Sequence, residues 1–351
     1  MGKSDAIRVG ITTGDYNGVG PEIIVKTFMD RRMFDGITPI LYGHSEIVKS
    51  ARKTLQLVDF QYQSIESADD ASGKKFFVID ILKDEPVVQP GEKTSQAGSA
   101  SYLSLKAAVE DLASNKIDVL VTVPINKDLI QSEDFKFPGH TEYLADMSNV
   151  EDHLMLLVAN NLRVGVVTGH VPIKEVSEKL TTAGILSKLQ LLNDSLIRDF
   201  GISRPKIAVM GLNPHAGDNG LLGDEEKDII LPAIRQAEEM GIYAFGPYGA
   251  DGFFGSRVYN TFDGILAMYH DQGLGPFKAL AFDQGVNFTS GLPIVRTSPD
   301  HGTAYDIAGT GEADENSFRQ AVFLAVDVYK QRIAFKELMA NPLEISLKKS
   351  E

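Results

Sequence analysis

Short, almost wholly apolar runs alternate along the chain with longer stretches whose apolar residues recur every three or four positions. "AIRVGITTG" is a compact apolar run closing on Gly14, and "GPEIIVKTFMD" then sets Pro21 at a first helical position. "TPILYG" has the look of a second strand. In "SASYLSLKAAVEDLASN" the residues Leu105, Ala108, Val109 and Leu112 share one helical face, and "IDVLVTVPI" after it is a continuous buried-strand run. Strand, helix and strand in that order predict parallel pairing. Two apolar runs in "LMLLVANNLRVGVVTGH" meet at Asn160-Asn161, which predicts a hairpin and some antiparallel character. "TTAGILSKLQLLNDSLIRDFG" predicts an amphipathic helix with Ile185, Leu189, Leu192 and Leu196 inward and Gly201 as its stop. "KIAVMGLNPHAG" is a strand entering a loop, "DEEKDIILPAIRQAEEMG" a helix, "DGILAMYH" a strand, and "SFRQAVFLAVDVYKQRIAFKELM" a long closing helix. The alternation is that of an α/β protein.

Length makes this more than one comfortable core: 351 residues predict two domains, or one domain with a large insertion, the change falling near residues 130 to 140. Hydrophobic content of 43% and charged content of 23% are ordinary for a globular chain. "MGKSDAIRVGITTG" lacks the basic-then-apolar layout of a secretory signal, and no apolar run approaches the roughly 20 residues that span a bilayer. A cytoplasmic location is the resulting expectation. With no cysteine, thiolate nucleophiles and sulfur-ligated metals are excluded, so any metal must use His, Asp or Glu. A net charge of −14 repels nucleic acid and anionic lipid, which turns the search toward a small-molecule partner. An anionic one would need a locally positive site.

Three of the seven histidines follow strand-like runs: His170 after "VGVVTG", His215 after "IAVMGLNP" and His270 after "ILAMY". Ligands of open α/β sheets gather outside the carboxyl ends of strands, so these three can converge on one point. Three neutral imidazoles suit zinc or a similar divalent ion with a position open for substrate, and Asp271 or Asp251 could join or support them. Each histidine taken singly is better explained as a hydrogen-bonded loop residue; the shared position is what favours a metal.

Longer motifs occur in a set order: "GDYNGVGPE", "VTVPINKD", "FPGHTEYLA", "GLNPHAGDNGLLGDEE", "AMYHDQGLGPFKAL" and "VNFTSGLPIVRTSPDHGTAYDIAGTGEAD". On these the chain resembles the 4-hydroxythreonine-4-phosphate dehydrogenase (PdxA) family of pyridoxal phosphate synthesis, from about residue 8 to about residue 315. The resemblance implies two α/β/α subdomains, isopropylmalate dehydrogenase-like in outline, with a mixed, mostly parallel sheet and an active-site cleft between them. Residues 1–135 with 303–351 would contribute to NAD binding, and 136–302 would carry metal ligands, substrate ligands and the dimer interface. It further implies NAD-linked, metal-dependent oxidation of 4-(phosphooxy)-L-threonine, the β-keto acid product then losing carbon dioxide. Alternatives are the same chemistry on phosphorylated threonate or erythronate, or a non-catalytic phosphometabolite binder. The metal ligands (zinc, magnesium or cobalt) fall on His170, His215 and His270, and substrate contacts on His140, Thr141, Lys278, Asn287 and Arg296. The family site is built across a homodimer, with one metal ligand from the partner subunit.

These assignments have physical sense. A divalent ion lowers the pKa of an alcohol it holds and polarises the ketone that forms, without cysteine. Lys278 can hold an anion or act with His270 as the catalytic pair; alternatively it is a solvated surface lysine. Arg296 suits a bidentate phosphate or carboxylate contact, or else a structural ion pair. His140 and Thr141 open a helix whose N–H groups favour an anion, unless Thr141 and Glu142 merely cap it. "HGTAYDIAGTGEAD" does not fit a strand-GxGxxG-helix unit and instead resembles the adenosine-binding loop of isopropylmalate and isocitrate dehydrogenases, which makes His301 and Asp306 cofactor candidates. Tyr16-Asn17 stands where the family commonly has Pro-Ala, and Gly169 where it commonly has Thr. The first departure puts cofactor or substrate contacts in question.

Overall fold

The computed structural model describes residues 6–340. Its strands are β1 (Ile7–Thr12), β2 (Ile37–Gly43), β3 (Tyr62–Ile65), β4 (Phe76–Asp80), β5 (Val119–Val121) and β6 (Leu154–Ala159), then β7 (Leu162–Thr168), β8 (Lys206–Met210), β9 (Tyr243–Tyr248), β10 (Gly264–Tyr269), β11 (Val286–Ser290) and β12 (Arg296–Pro299). They form one sheet in the order β3-β4-β2-β1-β5-β12-β11-β6-β7-β10-β8-β9. Pairing is parallel except where β11 meets β12 and β6, and where β6 meets β7. The sheet is therefore mixed and mostly parallel, as the alternation predicts.

Apolar strand composition follows from coverage on both faces. Val9, Ile11, Val119, Val121, Leu266 and Met268 are all fully buried. The hairpin at Asn160-Asn161 pairs Ala159 with Leu162, and Asn160 adopts φ 51°, a left-handed value that Asn tolerates. The helix Thr182–Arg198 buries Ile185, Leu189, Leu192 and Leu196, and Gly201 beyond it takes φ +71°. Residues 224–241, read as one helix, instead begin with a π turn (Glu226–Ile230) that passes into the helix Leu231–Glu239. Pro232 has no N–H for the i→i−4 bond at that junction, so the tight ladder cannot start earlier.

Five strands from residues 1–135 make one half of the sheet, and the strands from residues 136–302 make the other. The halves are joined by parallel pairing of β12 with β5, Arg296 opposite Leu120 and Thr297 opposite Val121. The helix Asn316–Ala340 lies over this junction, burying Phe318, Ala321, Val322 and Ala325, and the Thr297 hydroxyl donates to the Ala321 carbonyl at 2.7 Å. Among the described residues no helix is long and apolar enough to cross a membrane.

Candidate active site

Register brings two of the three strand-end histidines together. β7 and β10 are parallel neighbours with Thr168 level with Tyr269, so the residues that follow emerge side by side. His170 and His270 accordingly have ring centroids 6.0 Å apart, tilted by 40°. His270 Nδ1 lies 2.6 Å from Asp271 Oδ1, leaving Asp271 as its immediate neighbour and the helix His270–Ala281 without a side-chain cap. Burial, then the nearby Lys127 charge, lowers the His170 imidazole below its ordinary value, favouring the neutral form that ligates metals.

His215 takes a different course. β8 ends at Met210, and its continuation is drawn aside: the N–H groups of Leu212 and Asn213 both donate to Glu226 Oε1 at 2.7 Å, and Asn213 Nδ2 donates to Glu225 and Glu226. Residues 215–219 then all adopt positive φ, from 44° to 80°, and His215 is exposed and outside the cavity that the other two share. Convergence of all three histidines within one chain is thus not what the structure has. Among the described residues no cluster of three or more His, Asp or Glu could hold a metal ion. Asp251 sits exposed on the helix Ala250–Gly255, close to the His215 turn rather than to the paired histidines.

His170 and His270 open onto a cavity of about 330 Å³ whose wall also includes His140, Thr141, Lys278, Asn287, Arg296 and His301. Every substrate residue expected from the motifs is there. His215 and Asp306 are not. Arg296, the first residue of β12, is 3% exposed; its Nε and Nη2 donate to Thr122 Oγ1 at 3.0 and 2.7 Å. No carboxylate lies within ion-pair distance of it among the described residues, which removes the structural ion-pair explanation. Burial pushes the guanidinium down to about 10, opposed by Glu142, so it stays charged at neutral pH.

His140 begins the helix His140–Met147, whose N-cap is Gly139 with no side-chain cap, so Thr141 does not cap it and its first N–H groups remain available. Burial, reinforced by the charges of Arg296 and Lys127, holds the His140 imidazole neutral, well below its ordinary value. Nε2 of His140, Oδ1 of Asn287 and Nε2 of His301 are buried without a hydrogen-bond partner. Three such atoms around one cavity mark it as built for a polar ligand. Lys278 is no free surface lysine, because its Nζ lies 3.3 Å from Asp300 Oδ1. Burial raises the Asp300 carboxyl, partly offset by Lys278.

Lys127 and Asp300, which the motifs do not mark out, and Glu142, which they suggest only as a cap, also line the cavity. Lys127 and Glu142 lie inside the quoted motifs, yet no periodicity marks a loop cation or a first-turn carboxylate as cavity-facing. Tyr16 and Asn17 are buried away from it: Asn17 Nδ2 donates to the Glu92 carbonyl (3.0 Å) and Thr94 Oγ1 (3.1 Å), and its Oδ1 accepts from Gln89 N–H (2.8 Å). This pair anchors the 82–94 segment.

The glycine-rich loop after His301 packs on the first loop and helix. Val19 N–H donates to the Thr303 carbonyl at 2.9 Å, Tyr305 Oη donates to Asp15 Oδ2 at 2.6 Å, and Lys26 Nζ donates to the carbonyls of Gly311 and Ala313. Asp306 is exposed on that loop.

Known proteins resemble this chain over most of its length. Residues 35–325 match the family described as "Pyridoxal phosphate biosynthetic protein PdxA". A 4-hydroxythreonine-4-phosphate dehydrogenase of Bacteroides thetaiotaomicron is 50% identical over 97% of this chain and 94% of its own length. One from a Sulfurihydrogenibium species is 41% identical over 91% and 98% respectively. The crystal structure of a 4-hydroxythreonine-4-phosphate dehydrogenase from Burkholderia phymatum superposes with a TM-score of 0.77 at 38% identity, covering 93% of this chain and 99% of that one.

Proposed function

The chain belongs to the PdxA family of pyridoxal phosphate biosynthetic proteins and is an oxidoreductase; from that premise we propose that it oxidises 4-(phosphooxy)-L-threonine with NAD. The product, 2-amino-3-oxo-4-(phosphooxy)butanoate, loses carbon dioxide to give 3-amino-2-oxopropyl phosphate. One observation carries the reading: a buried, charged Arg296, without a carboxylate partner among the described residues, faces a cavity that also holds two paired histidines. A buried cation left unpaired is costly unless an anionic ligand completes it.

Roles follow from position. Arg296 and Lys127 hold the phosphate and carboxylate, assisted by the N–H groups around Thr141. The orphaned atoms of His140 and Asn287 hold the substrate's amino and hydroxyl groups. His301 and Asp306 serve NAD from the 301–314 loop.

A resident divalent cation fits the donor set, since His170 is held neutral and shares the cavity with His270. Such an ion, when bound, acidifies the substrate alcohol and polarises the ketone. Two imidazoles leave it short of protein ligands, and His215, exposed on its left-handed turn, is available to complete the set in a second copy. The working unit is therefore a cytoplasmic homodimer with shared sites. We read the chain as two units, 1–135 with 303–351 and 136–302, meeting at the cavity.

The test is an assay of purified protein with 4-(phosphooxy)-L-threonine, NAD and defined zinc, magnesium or cobalt. NADH formation abolished by chelation is expected; none with any of these metals overturns the proposal.

A further inference from the structure

Three basic side chains, Lys127, Lys278 and Arg296, line the cavity, and they differ in one respect. Among the described residues Arg296 and Lys127 have no carboxylate within ion-pair distance. Lys278 has one: its Nζ lies 3.3 Å from Asp300 Oδ1 and donates to the Asp300 carbonyl at 3.4 Å. Asp300 is itself fixed. Its side chain is 13% exposed, and its N–H is shared between Ser317 Oγ (3.1 Å) and the Gly285 carbonyl (3.2 Å), while Ser317 Oγ donates to that same carbonyl at 2.7 Å. A Cβ on Gly285 would meet Phe277 Cε1 at 3.0 Å and Asp300 Cβ and Oδ2 at 3.2 Å, so a larger residue there would press on the Asp300 side chain.

This arrangement divides the labour. An anion clamp needs positive charge that no carboxylate directly pairs, which Arg296 and Lys127 supply among the described residues. A phosphate at Lys278 would meet the Asp300 carboxylate as well, so Lys278 is poorly suited to hold it. We propose that Asp300 is the positioning residue for Lys278, and that this pair handles the proton of the reaction while Arg296 and Lys127 hold the substrate's anionic groups. The proposal rests on the oxidation and decarboxylation given above. As the C–H bond delivers hydride to NAD, the hydroxyl proton leaves, and the Lys278–Asp300 pair takes it up. When the bond to the carboxylate breaks, its electrons remain on the carbon that carbon dioxide leaves, and the pair returns the proton there. Over both steps the pair's own proton count is unchanged.

Other charged or titratable groups face the pair from every side. His270 comes from the same helix as Lys278, His301 from the chain after β12, His140 and Glu142 from the helix His140–Met147, His170 from the end of β7, and Lys127 and Arg296 from the loop after β5 and from β12. A pH profile must therefore be read against variants of Lys278 itself.

Steady-state kinetics on the metal-loaded enzyme, with D300N, D300E, K278M and K127A, separates the roles. D300N is expected to lower kcat at least about tenfold with KM changed less than about threefold, and to lose the same limb of the kcat–pH profile that K278M loses. D300E restores part of both. K127A raises KM by more than it lowers kcat. Calorimetric titration with inorganic phosphate gives a readout free of turnover: K127A weakens binding and D300N does not. A D300N enzyme with wild-type kcat and pH profile overturns the proposal, and so does one whose defect lies in KM and phosphate affinity. If wild-type protein binds phosphate but does not turn over the substrate, the proposed reaction fails while the phosphate titration still decides between Lys127 and Asp300.

Discussion

His170 and His270 stand with ring centroids 6.0 Å apart because β7 and β10 run parallel in a register that sets Thr168 beside Tyr269. Neither ring is needed to hold its strand, since both residues lie beyond the strand ends. H170A and H270A should each lose turnover and weaken zinc affinity by at least about a hundredfold, with unfolding free energy within about 1 kcal/mol of wild type. Zinc calorimetry beside urea unfolding checks this. A loss of stability with zinc affinity intact would make these histidines structural.

His215 leads to a sharper test of the shared site. If it completes the partner's histidine pair, a dimer of one H215A chain and one H270A chain contains one intact site and one doubly defective site. Random reassociation makes half of the dimers mixed, so two inactive variants should regain about a quarter of wild-type activity when mixed under exchange conditions. A mixture as inactive as its parents would place His215 and His270 of each site on the same chain.

Much of this was legible because strand runs, hairpin and helices announce themselves by period, and because the histidines fall where parallel strands end. The direction His215 takes within its own chain is not legible in the sequence, for a physical reason. Its direction depends on five successive positive-φ residues and on Glu226 gathering the N–H groups of Leu212 and Asn213, neither of which leaves a periodic trace. β11 and β12 were equally silent, being short and set inside a motif dense in Gly and Pro. Asp300 follows Pro299 in a loop where nothing local reveals Lys278, which is distant in sequence, as its partner.

Arg296 should be the most costly anion contact to lose. Its guanidinium is buried and already oriented by Thr122, so little ordering remains when the substrate binds. R296A is expected to lower kcat/KM by about 2 to 4 kcal/mol, roughly 30- to 700-fold, chiefly through KM. R296K should recover only part, because one ammonium cannot reproduce both Thr122 contacts and the planar fork. An R296A enzyme with unchanged KM would move the phosphate elsewhere in the cavity.

Acid should destabilise the fold through His140. Its folded value lies well below the ordinary 6.5, so the unfolded chain gains a proton below that pH which the folded chain refuses. Stability is then complete above about pH 6.5 and lost as pH falls, at up to about 1.4 kcal/mol per pH unit for one such group. Asp300, Asp15 and Glu22 are raised and act in the opposite sense at more acid pH. H140Q should flatten the fall in urea midpoint between about pH 6.5 and 5. An equally steep fall in the variant would remove His140 as its source.

Asn17, where the family commonly has alanine, is predicted to matter for folding and not for catalysis. The side chain is fully buried and ties Gln89, Glu92 and Thr94 to the first loop through three hydrogen bonds of 2.8 to 3.1 Å. It lies outside the cavity wall, so no substrate contact depends on it directly. N17A leaves the Gln89 N–H and the Glu92 carbonyl seeking new partners, which should cost about 2 to 3 kcal/mol of stability. Urea unfolding reads that loss, and KM and kcat below the unfolding range should stay within about twofold of wild type. A rise in KM for NAD or substrate at full stability would instead give the first loop a direct role in binding.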